Sequence, residues 1–196
     1  ELKFWDDELA TAGAYLISKR VATIEFLSNL SQRIHSTLAG TGSENLEILY
    51  APSGDIVATS FQDESRESLT TLLTQRRSRD IGQGFTTGGP HRDDLQLNLN
   101  GMSSVQYSSR GQCRTIAMSL KLAEAECLEN QRGEKPILLL DDVLSELDEP
   151  RRIQILDAAE TYEQCFISTS DPNQINQSSL SRMVRFVVHD NVVNSI

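Results

Sequence analysis

The chain has 196 residues, 38% of them hydrophobic and 23% charged, which is enough for one large or two small domains with an ample core. Its formal net charge of −10 excludes a protein that is mostly a nucleic-acid surface, so any DNA contact needs a local basic face or basic residues elsewhere in a complex. No apolar run approaches the ~20 residues that span a bilayer, and no basic start leads into an apolar stretch and a cleavage site, so neither a membrane partner nor secretion is expected.

Residues 1 to about 40 carry a helical pattern. Leu9, Leu16 or Ile17, Ile24, Leu27, Ile34 and Leu38 recur at spacings of three, four and seven with no proline between them, and Gly40-Thr41-Gly42 ends the run. A short strand is expected at Leu46–Tyr50, a turn at Pro52-Ser53-Gly54, and a second helix from Ser65 to about Arg79 with Leu69, Leu72 and Leu73 on its apolar side. A long helix returning through a second one describes an arm projecting from a body, or equally a helical layer on a compact domain. Arg76, Arg77 and Arg79 make a basic end to that second helix, either complementing its dipole or meeting phosphate.

Beyond Gly82 the texture changes. Gly82, Gly84, Gly88, Gly89 and Pro90 crowd a connector, and His91-Arg92-Asp93-Asp94 follows as either a solvated turn or a functional loop. Leu95, Leu97 and Leu99 alternate up to an Asn100-Gly101 hairpin turn. A helix is predicted from about Gly111 to Gln131, burying residues among Ile116, Leu120, Leu122, Ala123 and Leu128. A strand Ile137–Leu140, a helix from about Pro150 to Tyr162, a strand Cys165–Ser168 and a last strand Val184–Val188 complete the chain. Strands alternating with helices indicate an α/β class with a mainly parallel sheet. Cys113, Cys127 and Cys165 are odd in number and form no C-x-x-C pair, which fits reduced thiols in a cytoplasmic protein. His35, His91 and His189 are scattered, and none is assigned to a metal.

Three short segments carry chemistry. Pro136–Asp148, PILLLDDVLSELD, is an unbroken aliphatic strand ending in two adjacent carboxylates. Such a run reads as a strand buried on both faces, and Asp141 and Asp142 then sit at the carboxyl end where open α/β sheets hold ligands. Adjacent acids repel, and a hydrated Mg²⁺ on a nucleotide would offset them, which makes this a Walker B strand. Ahead of the long helix, Ser108-Ser109-Arg110-Gly111-Gln112 places hydroxyls, an arginine and a glycine at a helix start, where unpaired amides and the dipole favour an anion. Alone it is as readily an N-cap. After the acids, Ser145-Glu146-Leu147-Asp148 with Pro150 reads alone as a helix start. In this order and spacing the three segments describe a nucleotide-binding head.

The same residues resemble one family closely. SSRGQCRTIAMSLKLAEAECL, LLLDDVLSELDEPRR and GGPHRDDL look like RecF proteins, relatives of the SMC proteins; the resemblance is dense in the body and loose over the first 80 residues. It implies the carboxyl-terminal lobe of an ABC/SMC-type P-loop ATPase head with an inserted helical arm, divided as arm over 1–88 and ATPase lobe over 89–196. It implies Asp141 holding Mg²⁺ through water and Asp142 as general base or polariser of the attacking water. Ser108, Ser109, Arg110, Gly111 and Gln112 would be the signature that meets the γ-phosphate of ATP bound by the opposite subunit. Ser145 and Asp148 would form the D-loop at the dimer seam, and Ser170 would stand at the switch position where many ABC proteins carry histidine. It also implies an ATP-dependent homodimer with slow hydrolysis, acting at DNA gaps between single- and double-stranded regions with RecR and RecO to load RecA.

No G-x-x-x-x-G-K-[ST] phosphate loop occurs, and Gly84-Phe85-Thr86-Thr87-Gly88-Gly89 lacks the lysine. The expectation is a carboxyl-terminal portion of a longer protein that alone binds Mg·ATP poorly and is inactive. Other SMC-type repair or chromosome ATPases are the alternative class, though about 80 residues cannot supply their long coiled coil. A degenerate interaction module is the third, and it has no physical need for the paired acids.

Overall fold

The computed structural model describes residues 2–40, 44–145, 147–190 and 192–195. The chain divides into two compact units, one of residues 1–34 and 44–108, the other of 35–43 and 109–196. Position 88/89 falls inside the first unit, and the break comes between Ser108 and Ser109. Thr41 and Gly42 of the predicted helix stop, and Glu146 of the segment after the acids, lie outside the described residues.

In the first unit, α1 (Leu2–Leu38, whose last residues belong to the second unit) and α2 (Gln62–Gln83) supply most of a small core. Ala10 and Ile17 from α1, Ile56 from the connector, and Leu69, Leu72 and Leu73 from α2 are buried together. The ambiguity between Leu16 and Ile17 resolves to Ile17, fully buried, while Leu16 is 46% exposed. The two helices approach closely at Gly13, where a Cβ would lie 2.6 Å from Leu69 Cδ2. Three strands accompany them: β1 (Leu46–Ala51), β2 (Asp94–Leu99) and β3 (Met102–Ser103), antiparallel in the order β1-β2-β3. Leu46 faces Leu99 and Tyr50 faces Leu95. The β2–β3 turn is Asn100-Gly101, with φ of 54° and 77°, the paired left-handed conformation that an Asn-Gly hairpin prefers. A one-turn helix α3 (Ser104–Tyr107) follows.

One sequence expectation fails here. α2 continues four residues past Arg79 and stops at Gly84 in the left-handed conformation, so the arginines do not complement its carboxyl end. Arg76 Nη1 instead donates to the Thr87 carbonyl at 2.8 Å, and Arg77 pairs with Asp6 across from α1. The loop after Gly89 is an exposed turn at His91 and Arg92, tied to the first unit through Asp93 and the Pro90 carbonyl. Tyr50 Oη donates to Asp93, whose other oxygen accepts from the Ser53 amide at 2.8 Å. Arg20 Nη1 donates to the Pro90 carbonyl at 2.5 Å, and Arg92 lies 5.2 Å over the Phe85 ring. Burial, then the Asp93 hydrogen bond, pushes the Tyr50 phenol up to about 12 despite the opposing Arg20.

The second unit contains α4 (Arg110–Arg132), β4 (Leu138–Asp141), α5 (Glu149–Ala159), β5 (Cys165–Ser168), a 3-10 turn Pro172–Gln174, α6 (Gln177–Leu180), β6 (Phe186–His189) and β7 (Val192–Ser195). α4 buries Thr115, Met118, Ser119, Leu122 and Ala123 at i, i+3, i+4, i+7, i+8 spacing, with Ile116 beside them, and ends at Gly133 in the left-handed conformation. β4 and β5 pair in parallel through α5, while β6 and β7 form an antiparallel hairpin. The chain therefore does not finish on one strand at Val184–Val188; Val184 precedes β6, and a second strand returns. The both-faces-buried reading of β4 also needs correction. Leu138 and Leu140 are buried, but Leu139 is 71% exposed, as are Ile137 and Phe166 at 58% and 53%. Among the described residues the sheet is two strands wide and apolar on both faces, with only one face covered. Cys113, Cys127 and Cys165 are free thiols, and burial pushes that of Cys165 up. No helix among the described residues is long and apolar enough to cross a membrane.

Candidate functional site

Parallel pairing sets Asp141 at the last position of β4 directly beside Ser168 on β5. The strand ends there because Asp142 takes a φ of 47°, a left-handed conformation that non-glycine residues rarely hold and that Asp and Asn tolerate best. Its amide is caught by Ser168, 3.2 Å from the carbonyl and 3.1 Å from Oγ. The Ser168 hydroxyl meanwhile donates to the Asp141 carboxylate. One serine thus orients the first acid and holds the turn that presents the second. Both acids are exposed. Ser145 Oγ closes the turn by donating to the Asp142 carbonyl at 3.1 Å.

Asp148 caps α5. Its carboxylate accepts from the Arg151 amide at 3.1 Å and pairs with Arg151 Nη1 at 3.4 Å. That guanidinium is 21% exposed and also approaches Gly111, where a Cβ would lie 3.3 Å from Nη1. Gly111 at the start of α4 and Asp148 at the start of α5 therefore both neighbour the Arg151 guanidinium.

Ser109 caps α4 in a full capping box: its Oγ accepts from the Gln112 amide at 3.2 Å, and Gln112 Oε1 accepts from the Ser109 amide at 2.8 Å. A hydroxyl that accepts in this way keeps its own hydrogen to donate. The amides of Arg110 and Gly111 open the helix and have no intrahelical acceptor. Ser109 and Arg110 are exposed, Ser108, Gly111 and Gln112 half-buried. Ser108 is the last residue of the first unit, its amide donating to Ser104 at 3.1 Å. Ser170 is exposed in a tight turn between Thr169, whose Oγ1 accepts from the Asp171 amide at 3.2 Å, and Asp171, which caps the 3-10 turn.

Beside the acids lies a groove of about 740 Å³, lined by Met118, Leu128, Ile137, Leu139, Asp141 and Asp142 among others. Its walls are mainly aliphatic, with Arg114, Lys121 and Glu124 of α4 also lining it and the acids at the β4 end. There the donor set is carboxylates and a hydroxyl, all oxygen, which fits a hydrated Mg²⁺ and not a soft metal. The start of α4 offers a hydroxyl hydrogen, two amides and an arginine, which fits phosphate oxygens.

Sequence reasoning missed Ser168 and Arg151. Ser168 was legible as the end of a strand, and only the β4–β5 register reveals that its hydroxyl meets the acids. Arg151 looked like an ordinary helical arginine, and its role comes from the path of its side chain across to Gly111.

No protein-family model matches the chain. The DNA replication and repair protein RecF of Chloroflexus aggregans is 39% identical over 191 residues, covering 97% of this chain and 48% of that protein. RecF of Halothermothrix orenii is 36% identical over 193 residues, with 98% and 51% covered. The chain thus spans about half the length of the curated relatives it matches. A solved structure of the recombination mediator protein RecF-ATP in the RecFOR pathway has a TM-score of 0.81 at 36% identity, over 100% of this chain and 50% of that one. A structure concerned with ATP-driven dimerization of SMC ATPases has a TM-score of 0.54 at 11% identity, covering 92% of this chain and 88% of its own, a likeness of fold alone. In sequence and in fold the chain is a homologue of the RecF proteins of DNA replication and repair, matching their carboxyl-terminal part, with an α/β fold like that of SMC ATPases.

Proposed function

We propose that this chain is the part of an ATP-dependent DNA-repair protein that brings the acid pair and the signature to a nucleotide shared between two copies. ATP with Mg²⁺ would supply the phosphoryl chemistry and the binding energy that draws the copies together. Asp141 is the residue that would hold Mg²⁺ through its water shell, oriented by Ser168. Asp142, presented to solvent on its left-handed turn, would polarise the attacking water. Ser109, with its hydroxyl hydrogen available, and the amides of Arg110 and Gly111 would meet the γ-phosphate held by the partner. Ser108 and Gln112 would support that corner, Ser145 and Asp148 would line the seam, and Ser170 would stand where a γ-phosphate sensor is needed.

The observation that carries this reading is the joint presentation, in one unit, of exposed paired acids at a parallel strand end and an exposed capping-box serine at a helix start. Two such half-sites on one protomer, with no lysine loop in the sequence, suit a site completed by other residues. The uncovered apolar face of β4–β5 supports the same reading, with the remaining half of a full-length relative packing against it. In the cell we infer action at junctions of single- and double-stranded DNA, with RecR and RecO, to help load recombinase. The arm over 1–88 would serve DNA or partner binding, and the lobe over 89–196 the nucleotide.

Calorimetry on these 196 residues alone tests the incompleteness: titration with Mg·ATP should give no micromolar binding, and a micromolar dissociation constant would overturn it. In the full-length protein, sedimentation should show dimers forming on addition of Mg·ATP and dispersing as it is hydrolysed. A protein that stays monomeric with saturating Mg·ATP would remove the shared-site reading.

A further inference from the structure

His35 and Ser119 are both fully buried, and His35 Nδ1 lies 3.1 Å from Ser119 Oγ. The Ser119 hydroxyl spends its hydrogen on the Thr115 carbonyl, 2.6 Å away. It can therefore only accept from the imidazole, which assigns the proton to Nδ1 through the hydrogen-bond network. Thr115, 1% exposed, repeats the pattern one turn earlier: its Oγ1 donates to the Gly111 carbonyl at 2.9 Å. A continuous polar ladder runs along the buried face of α4, from the signature glycine through Thr115 and Ser119 to the last turn of α1.

Its position is chemically odd. Flanking residues on the same helix, Ile116, Leu122 and Ala123, are buried and apolar. Hydroxyls bonding back to the i−4 carbonyl gain a helix little and bend it slightly. Alanine at Thr115 and Ser119 would make a better helix, and an apolar residue in place of His35 would leave no donor to satisfy. What a buried polar pair does supply is register. If α4 slid or rotated against the end of α1, the Nδ1–H and the Ser119 lone pair would both lose this partner in a dry interior, which is costly. An apolar contact would tolerate such a slip.

We propose that His35 is a positioning residue for the signature corner: through Ser119 and Thr115 it locks the axial register of α4, and so the placement of Ser109 and Gly111. It touches no nucleotide. The inference rests on the shared-site reading above and adds to it a determinant on α1, about 75 residues away in sequence from the corner it sets.

The test uses the full-length protein. His35→Leu keeps a similar volume and removes the donor, Ser119→Ala removes the acceptor, and His35→Asn restores an N–H near the Nδ1 position. Binding of a fluorescent ATP analogue to monomers at low protein concentration and Mg·ATP-induced dimerisation by sedimentation are measured for each, well below the melting temperature. A control carries Ser109→Asp in the signature itself. The expected result is dimerisation weakened about tenfold in His35→Leu and Ser119→Ala, with monomer nucleotide affinity unchanged within about twofold and recovery in His35→Asn. A purely structural role would lower the melting temperature and leave the dimerisation constant of the folded protein alone. If His35→Leu does not fold, Ser119→Ala decides, since alanine is favoured in a helix. Wild-type dimerisation in the ladder variants beside a defective Ser109→Asp overturns the proposal and spares the shared-site reading. Wild-type dimerisation in Ser109→Asp as well overturns that reading itself.

Discussion

At Asp142 the backbone and the side chain make separate demands. A φ of 47° is tolerated by Asn and Asp and strained for most other residues. Asp142→Asn therefore keeps both the turn and the Ser168 contacts while removing the charge. On our reading the full-length variant still forms ATP-induced dimers, with single-turnover hydrolysis slower by roughly a hundredfold or more; unchanged turnover would withdraw the role given to Asp142. Gly111 lies in a helix without a positive φ, and a methyl there would meet only the end of the Arg151 side chain, at a tight 3.3 Å that a small shift of the guanidinium relieves, so the fold alone does not require glycine there. Gly111→Ala should hold or raise the melting temperature and weaken dimerisation, because the methyl keeps phosphate off the amides. Loss of stability in that variant would mean the glycine serves packing. Tyr50 offers a solution check on the first unit. The fold favours its neutral phenol, so its contribution to stability is whole below pH ~10, the ordinary tyrosine value, and disappears as pH rises through about 12. Tyr50→Phe should cost about 1–2 kcal/mol at neutral pH and flatten that alkaline decline, as read by urea melts. An alkaline decline as steep as in the parent would detach it from Tyr50.

Elements with strong periodicity were legible in the sequence, and their ends less so. α1, α4 and β5 run where the spacing of apolar residues puts them, because each buries one stripe or lies between turn residues. α2 was read too short because nothing in its last residues is buried (even Ile81 is exposed) and only Gly84 in the left-handed conformation marks the stop. β7 escaped because its side chains are exposed and its run is short, which gives no alternation to detect. The acids and the capping-box serine were both legible, the first from a carboxylate pair ending an aliphatic run and the second from Ser-x-x-Gln at a helix start. Neither Ser168 nor the His35–Ser119 pair could be found from local pattern. Each depends on a register between elements that are far apart in sequence.

For the whole molecule, the chain passes from one compact unit to the other between Ser108 and Ser109, so the segment proposed as the signature, Ser108–Gln112, straddles the break. The second unit presents its acids and its capping serine to solvent and leaves one face of β4–β5 uncovered. A net charge of −10 argues against broad electrostatic adhesion to DNA, and the partner pairing of Arg76 and Arg77 removes two of the basic residues that a DNA surface on α2 would use. On the proposed function, nucleic-acid binding would then belong to the assembled protein. Its central requirement is that one copy's acids work with the other copy's signature. Ser109→Asp preserves the N-cap, since aspartate caps as well as serine, and sets a negative charge against phosphate. Asp142→Asn preserves the turn and disables the water-polarising acid. Each full-length variant alone should hydrolyse almost nothing. Mixed in equal amounts, at protein concentrations high enough to offset the weaker dimerisation of Ser109→Asp, they should recover up to about a quarter of wild-type activity, because with random pairing half of the dimers are mixed and each has one intact site. Activity of the mixture no greater than the sum of the separate variants would contradict a site shared across two copies.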